Sequence, residues 1–172
     1  MANRSKKVVL STRIAPYLKS GLELCARARN MKIVETIEEL IEHALMTNSI
    51  DSPFPDKNGV RGKASVLSVV EWLWNDDPII YTLRLGFISD QLVDRETYVV
   101  CAETTTARFK GDFDLFEEPR KRATYQDVYK TTALNIEKIR EEWEDLCAYA
   151  KFVEANKPMK IDYEDFLRMA KG

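Results

Sequence analysis

Lys7, Val9, Ser11 and Arg13 stand at alternate positions near the start of the chain and form its best set for contact chemistry. Alternate side chains of an extended segment share one face, so these four point one way while Val8, Leu10, Thr12 and Ile14 point the other. The first row can reach outward with an ammonium, a hydroxyl and a guanidinium, and the second is core-like. Bond-making chemistry is served far less well. The chain has no P-loop, GxGxxG, GxSxG or HExxH. His43 is the single histidine, so a Ser–His or Cys–His dyad has only one candidate base, and a histidine-rich metal site within one chain is excluded. Cys25, Cys101 and Cys147 are odd in number, far apart and without a CxxC, which predicts buried free thiols instead of a metal site or disulfide framework. The acid pairs Asp76 and Asp77, Asp112 and Asp114, and Glu117 and Glu118 could hold a metal or do acid–base work, but each adjoins turn formers, where charged side chains are usually solvated. The expectation is a chain that is not an enzyme, with no catalytic residue, no metal site and no cofactor.

Around the contact row, the sequence predicts a strand over residues 7–14 followed at once by two amphipathic helices. Pro16 suits the first turn of a helix, where its missing N–H costs nothing. Leu18, Leu22, Cys25 and Ala26 then recur at helical spacing. Asn30 can adopt the left-handed conformation that ends a helix, and it separates this run from a second with Ile33, Ile37, Leu40, Ile41, Ala44 and Leu45 on its apolar side. One strand and two short helices cannot bury a core alone, so the segment is expected to be half of an intertwined dimer.

This order and spacing resemble the ribbon-helix-helix family of DNA-binding proteins, the fold of the Arc and MetJ repressors. The resemblance covers about a quarter of the chain and lies in the ordered pattern; no single residue defines it. It implies that two strands pair antiparallel across a dimer, that the ribbon enters the major groove of double-stranded DNA, and that Val9, Ser11 and Arg13 meet base edges with Lys7 at the ribbon end. Side-chain chemistry agrees: Arg13 can pair bidentately with guanine, Ser11 can donate or accept, and Val9 offers apolar contact, as to a thymine methyl. Two positions depart from the pattern. Where the family commonly has a capping Ser or Thr at the start of the second helix this chain has Lys32, which cannot accept the capping bond but could meet a phosphate with its charge. Gly21 lies within the first helix at a cost of about 0.5–1 kcal/mol relative to Ala.

The whole chain carries net charge −2 with a pI near 5.6, which gives no sign of general polyanion binding. The distribution is uneven. Residues 1–32 hold eight basic side chains against the single acid Glu23, the second helix carries Glu35, Glu38, Glu39 and Glu42, and residues 49–172 hold 18 basic against 23 acidic side chains. In a dimer the N-terminal charge doubles around one ribbon. A further basic cluster, Arg120, Lys121 and Arg122 with Lys110 and Arg108, is a weaker candidate for nucleic-acid contact because Glu117 and Glu118 stand beside it.

Length and composition, 172 residues at 45% hydrophobic and 31% charged, suit one or two globular domains. The division predicted is a DNA-binding domain over 1–48, a Pro- and Gly-containing linker over 49–63, and a C-terminal α+β domain over 64–172 for oligomerisation or partner binding. Within the last, a buried helix is expected over 64–75, strands over 79–88 and 97–109 forming an antiparallel hairpin, and loop or short strand over 110–123. A capping box at Thr124–Asp127, a long core helix over 133–155 and a short final helix capped by Asp162 complete it. The fold class is therefore α+β. No apolar run approaches the ~20 residues of a membrane span and the polar start lacks a secretory signal, so a cytoplasmic protein without a membrane partner is expected.

The function expected is a dimeric, sequence-specific DNA-binding regulator, a repressor of a bacterial, phage or plasmid gene. The alternatives are an architectural factor in partition or DNA processing, and a protein-binding adaptor or antitoxin that uses the fold only to dimerise.

Overall fold

In the computed structural model, residues 8–55, 58, 60–122 and 133–171 are described. They form a mixed helical and sheet structure in two compact units, one of Met1–Ser52 and Arg61–Trp74, the other of Pro53–Val60 and Asn75–Gly172.

In the first unit, α1 (Pro16–Ala28) begins with Pro16 in its first turn, as the sequence predicts. It ends in a Schellman motif, the Met31 N–H donating to Ala26 O at 2.9 Å and the Asn30 N–H to Arg27 O at 3.1 Å. Asn30 supplies the left-handed residue that this motif requires, at φ 53°. The chain then enters α2 (Ile33–Thr47), which packs on α1. Beyond it, β1 (Ser49–Pro55) and β2 (Arg61–Ser65) pair as a two-stranded sheet within the segment read from sequence as linker. α3 (Val66–Leu73) follows directly, its first turn capped by the Ser65 hydroxyl accepting from the Ser68 N–H, and it packs on α2 with Val69 and Leu73 buried.

The second unit corrects the sequence reading most. Residues 79–88 and 97–109 do not form a β-hairpin: they fold as α4 (Pro78–Ile88), α5 (Arg95–Glu103) and a 3₁₀ turn over Ala107–Phe109. Capping decides against the strand-like side chains. The Asp77 carboxylate accepts from the Ile79 N–H at 2.8 Å with Pro78 in the first turn, and Asp94 accepts from the Thr97 N–H at 2.7 Å. α4 and α5 pack closely because Gly86 has no side chain, for a Cβ there would run into the Cys101 thiol.

β3 (Lys110–Asp114) leads into α6 (Glu117–Arg122), and β3 pairs antiparallel with β4 (Ala133–Leu134) through an irregular register between Lys110 and Phe113. Gly111 sits at that irregularity, where a Cβ would collide with the backbone of Leu134 and Asn135. The expected capping box at Thr124–Asp127 lies outside the described residues. The long helix expected over 133–155 is also corrected: its first two residues are β4, Asn135 caps α7 (Ile136–Glu141), and the chain breaks at Glu142 before α8 (Trp143–Ala155). Its predicted core face holds nonetheless, with Ile136, Ile139, Leu146 and Ala150 buried. Asp162 caps α9 (Tyr163–Lys171) as predicted, accepting from the Asp165 N–H at 2.8 Å. Tyr163 and Phe166 of α9 close the core against Tyr149, their rings 5.3 and 5.5 Å from it.

Two tests follow from these contacts. Gly111→Ala forces a Cβ into paired backbone and should cost about 1–3 kcal/mol in urea unfolding, whereas Gly21→Ala, where a Cβ meets nothing within 4 Å, should gain about 0.5–1 kcal/mol. The second concerns acid. Burial pushes the Asp77 carboxyl up, but bonds from Arg140 and the Ile79 N–H outweigh it and hold the group below its ordinary 3.8. A depressed folded pKa stabilises above the unfolded value and is lost as pH falls through the folded one. Wild type should therefore lose stability more steeply below about pH 4 than Asp77→Asn, which can still cap; equal acid slopes in chemical denaturation would contradict this.

Candidate nucleic-acid interface

Of the five contact residues expected from sequence, four fall within the described residues and Lys7 does not. The strand expected over residues 7–14 is not formed in the single chain: residues 8–15 precede α1 without strand structure, because no partner strand stands beside them among the described residues. Their side chains stand in solvent on both faces. Val9, Ser11 and Arg13 are exposed as the alternation requires, but the core-like Val8 and Leu10 are exposed too, at 86% and 75%. A lone extended segment can satisfy neither its backbone groups nor its apolar row, because both need a neighbouring strand.

Lys32 lies at the N-cap of α2, exposed and in extended conformation. A lysine ammonium has no lone pair with which to accept a helix N–H. The capping is therefore one-sided: the Lys32 backbone N–H donates to the Glu35 carboxylate at 3.0 Å, and the Thr36 hydroxyl donates to Lys32 O at 3.1 Å. Glu35 is a residue that sequence reading missed as part of this site, although an acid three places after an N-cap is the recognised signal. It sets a carboxylate where the helix dipole favours negative charge. The C-cap residue of α1 is also tied to the middle of α2, Arg29 pairing with Glu39 at 2.7 Å.

The second basic cluster is largely neutralised. Arg120 pairs with Asp114, Lys121 with Glu117 at 2.7 Å, and Arg108 bidentately with Glu142 at 2.8 and 2.9 Å. Burial acts against the Glu142 charge, but the Arg108 bonds prevail and hold its carboxyl below the usual range. The Arg122 side chain lies outside the described residues. The acid pairs likewise have structural partners: Asp77 holds Arg140 and caps α4, Asp114 holds Arg120 and accepts from the Phe116 N–H, and Glu117 holds Lys121. Among the described residues no group of three His, Cys, Asp or Glu is placed to hold a metal ion, and no helix is long and apolar enough to cross a membrane. The three cysteines are free, with Cys101 buried and Cys25 and Cys147 half-buried.

The apolar face of α1 and α2 shares the exposure of the segment before it. Only Ala26 and Thr36 are buried on the two helices, while Ile14, Leu18, Ile33, Leu40 and Ile41 remain 44–51% exposed. Compared with protein-family models, curated proteins and solved structures, the chain matches none.

Proposed function

We propose that this protein is a dimeric, sequence-specific double-stranded-DNA-binding regulator of the repressor type, in which residues 7–13 of two chains pair as a ribbon that reads the major groove. The observation that carries the reading is the row of apolar side chains from Val8 to Ile41 left open by a single chain, directly beside the most basic stretch of the sequence. A second copy covers both deficits at once: its strand supplies the missing hydrogen bonds, and its helices cover Ile14, Leu18, Ile33, Leu40 and Ile41. Removing the exposed half of each of these side chains from water is worth roughly 1 kcal/mol apiece, enough to make dimerisation and folding one event.

Pairing brings two sets of Ser11 and Arg13 onto one outward face. Arg13 is the bidentate reader of guanine, Ser11 a secondary donor or acceptor, and Val9 a contact for a thymine methyl. Lys7 and Lys32 meet backbone phosphates and set the register without reading sequence. The acids of α2 keep its outer surface off the duplex. The ion pairs of Arg108, Arg120 and Lys121 favour the N-terminal ribbon over the second cluster as the reading element.

Assembly is the first test. The full chain should sediment as a dimer, and Ile14→Lys should yield monomer or unfolded chain because it places a charge in the shared core; a folded, monodisperse wild-type monomer would sink the ribbon. Reading is the second. With sites selected from random duplexes, Arg13→Ala should lose roughly 1–3 kcal/mol of discrimination at one base pair in each half-site while keeping the dimer and most nonspecific binding. Unchanged base preferences in a competition assay at fixed salt would remove Arg13 from the reading face.

A further inference from the structure

The first turn of α2 holds an anion of the chain's own. The Lys32 backbone N–H donates to the Glu35 carboxylate at 3.0 Å, while the Thr36 hydroxyl is turned back to Lys32 O at 3.1 Å. The first N–H groups of a helix lack partners within it and carry the positive end of its dipole, so a phosphate is best received there. Residues 32–35 are all exposed. Glu35 also marks the point where the charge of the chain changes sign: residues 1–32 hold eight basic side chains against Glu23, and Glu35 is the first acid after them.

We infer that Glu35 is an internal competitor for phosphate at the start of α2: its charge lowers the affinity of the dimer for any duplex and leaves base preference untouched. Capping alone does not need that charge, since a glutamine serves the same box as well as a glutamate. What the charge adds is repulsion. Unit charges act on each other across roughly 8 Å at physiological salt, and one turn of helix is only about 5 Å tall. A phosphate drawn against this turn by Lys32 therefore meets the Glu35 carboxylate as well. The acids farther along α2 are not equivalent, because Glu42 lies seven residues on, about 10 Å farther from the turn and beyond that screening length. The cost falls on phosphate attraction, which is blind to sequence and supplies essentially all nonspecific binding. Glu35 thus keeps the basic segment from holding every duplex it meets.

This role rests on the DNA-binding reading, and the test separates the two. Full-length wild type, Glu35→Gln, Val34→Glu and Glu42→Gln are titrated onto a duplex selected from random sequence and onto an unrelated duplex, over a series of salt concentrations. Glu35→Gln keeps an acceptor for the Lys32 N–H and, with two copies per dimer, should bind both duplexes at least about threefold more tightly. Its salt slope should steepen by up to about 0.9 for each phosphate newly neutralised. Impaired folding or dimerisation weakens binding, so a gain cannot be mistaken for it. Val34→Glu, at a position 57% exposed, adds a second carboxylate to the turn and should weaken both duplexes alike, by at least about threefold. Glu42→Gln removes the same charge beyond the screening length and should stay within about twofold of wild type. Unchanged or weaker binding by Glu35→Gln, an equal gain in Glu42→Gln, undiminished binding by Val34→Glu, or a gain confined to the selected duplex would overturn the role of Glu35 while site selection upholds the reading. A wild type that selects no site fails the reading, and the role of Glu35 with it.

Discussion

Two short helices preceded by one extended segment have more apolar surface than they can hide from water, and everything proposed for the N-terminal unit descends from that shortage. α1 and α2 pack on one another, and Ala26 and Thr36 are the only buried residues of the two helices. Both are small. A helix pair that fully buries only an alanine and a threonine encloses little, and its larger side chains stay partly open. The sheet and α3 extend the unit without closing it, for Ile33, Leu40 and Ile41 remain about half exposed. Thr36 is a telling choice. Its hydroxyl returns to Lys32 O, so it satisfies its own polar atom within the first turn of α2 and can be buried without a partner from elsewhere.

The two N-terminal helices were legible because local signals there agree, whereas the strand expected before them is not formed by a single chain. Pro16 opens α1, Asn30 closes it with positive φ, and the apolar period of α2 is clean. Across residues 79–109 local signals conflict. Tyr81, Leu83, Leu85 and Phe87 alternate like a strand, but the intervening residues are mostly apolar as well, so Ile80, Leu83, Phe87 and Ile88 mark a helical face equally well. Periodicity cannot separate a strand from a fully buried helix in such a run. Asp77-Pro78 and Asp94 with Glu96 and Thr97 were the discriminating residues, because a cap acts on specific backbone N–H groups whereas β-propensity reflects packing context. Gly86 carried a second clue. A glycine in an apolar run signals close approach of another element, here the wall of α5 at Cys101.

The break of the long helix at Glu142 shows a different limit. Nothing local stops a helix in the run from Ile136 to Ala155, which contains neither proline nor glycine. A long-range contact falls at the interruption: Arg108, 34 positions earlier, takes the Glu142 carboxylate bidentately beside the Tyr163 ring, where its guanidinium lies 5.5 Å from the ring centre. One arginine thereby ties the 3₁₀ turn, the α7–α8 junction and α9 together. The sequence separation hides such a pair, and the same pair withdraws Arg108 from the basic cluster that it seems to enlarge when only composition is considered.

Charge is thus sorted by geometry in opposite ways in the two units. In the second, cations meet acids as partly buried pairs, Arg108 with Glu142 and Arg140 with Asp77 across long sequence separations and Arg120 with Asp114 six positions away, so its local basic runs present little field to solvent. In the first, acids are concentrated on α2 and cations on the segments before it; Arg29–Glu39 joins the two, Lys19–Glu23 lies within α1, and both pairs are partly exposed. Surface pairs of that kind neutralise weakly, so the basic field of the N-terminal segment persists despite a chain that is acidic overall. An alternating outward row beside such a field is what distinguishes attraction from reading. In the proposed complex Lys7 and Lys32 would act on any phosphate, whereas Arg13 and Ser11 would offer hydrogen-bonding geometry that depends on which base edge they face. That division of labour holds only if the row is rigid, and rigidity requires the ladder that a single copy of residues 8–15 cannot make. In the proposed dimer the apolar shortage and the reading chemistry become one requirement: the partner that would hide Ile14 and Leu18 would also hold Arg13 at a fixed angle to the groove.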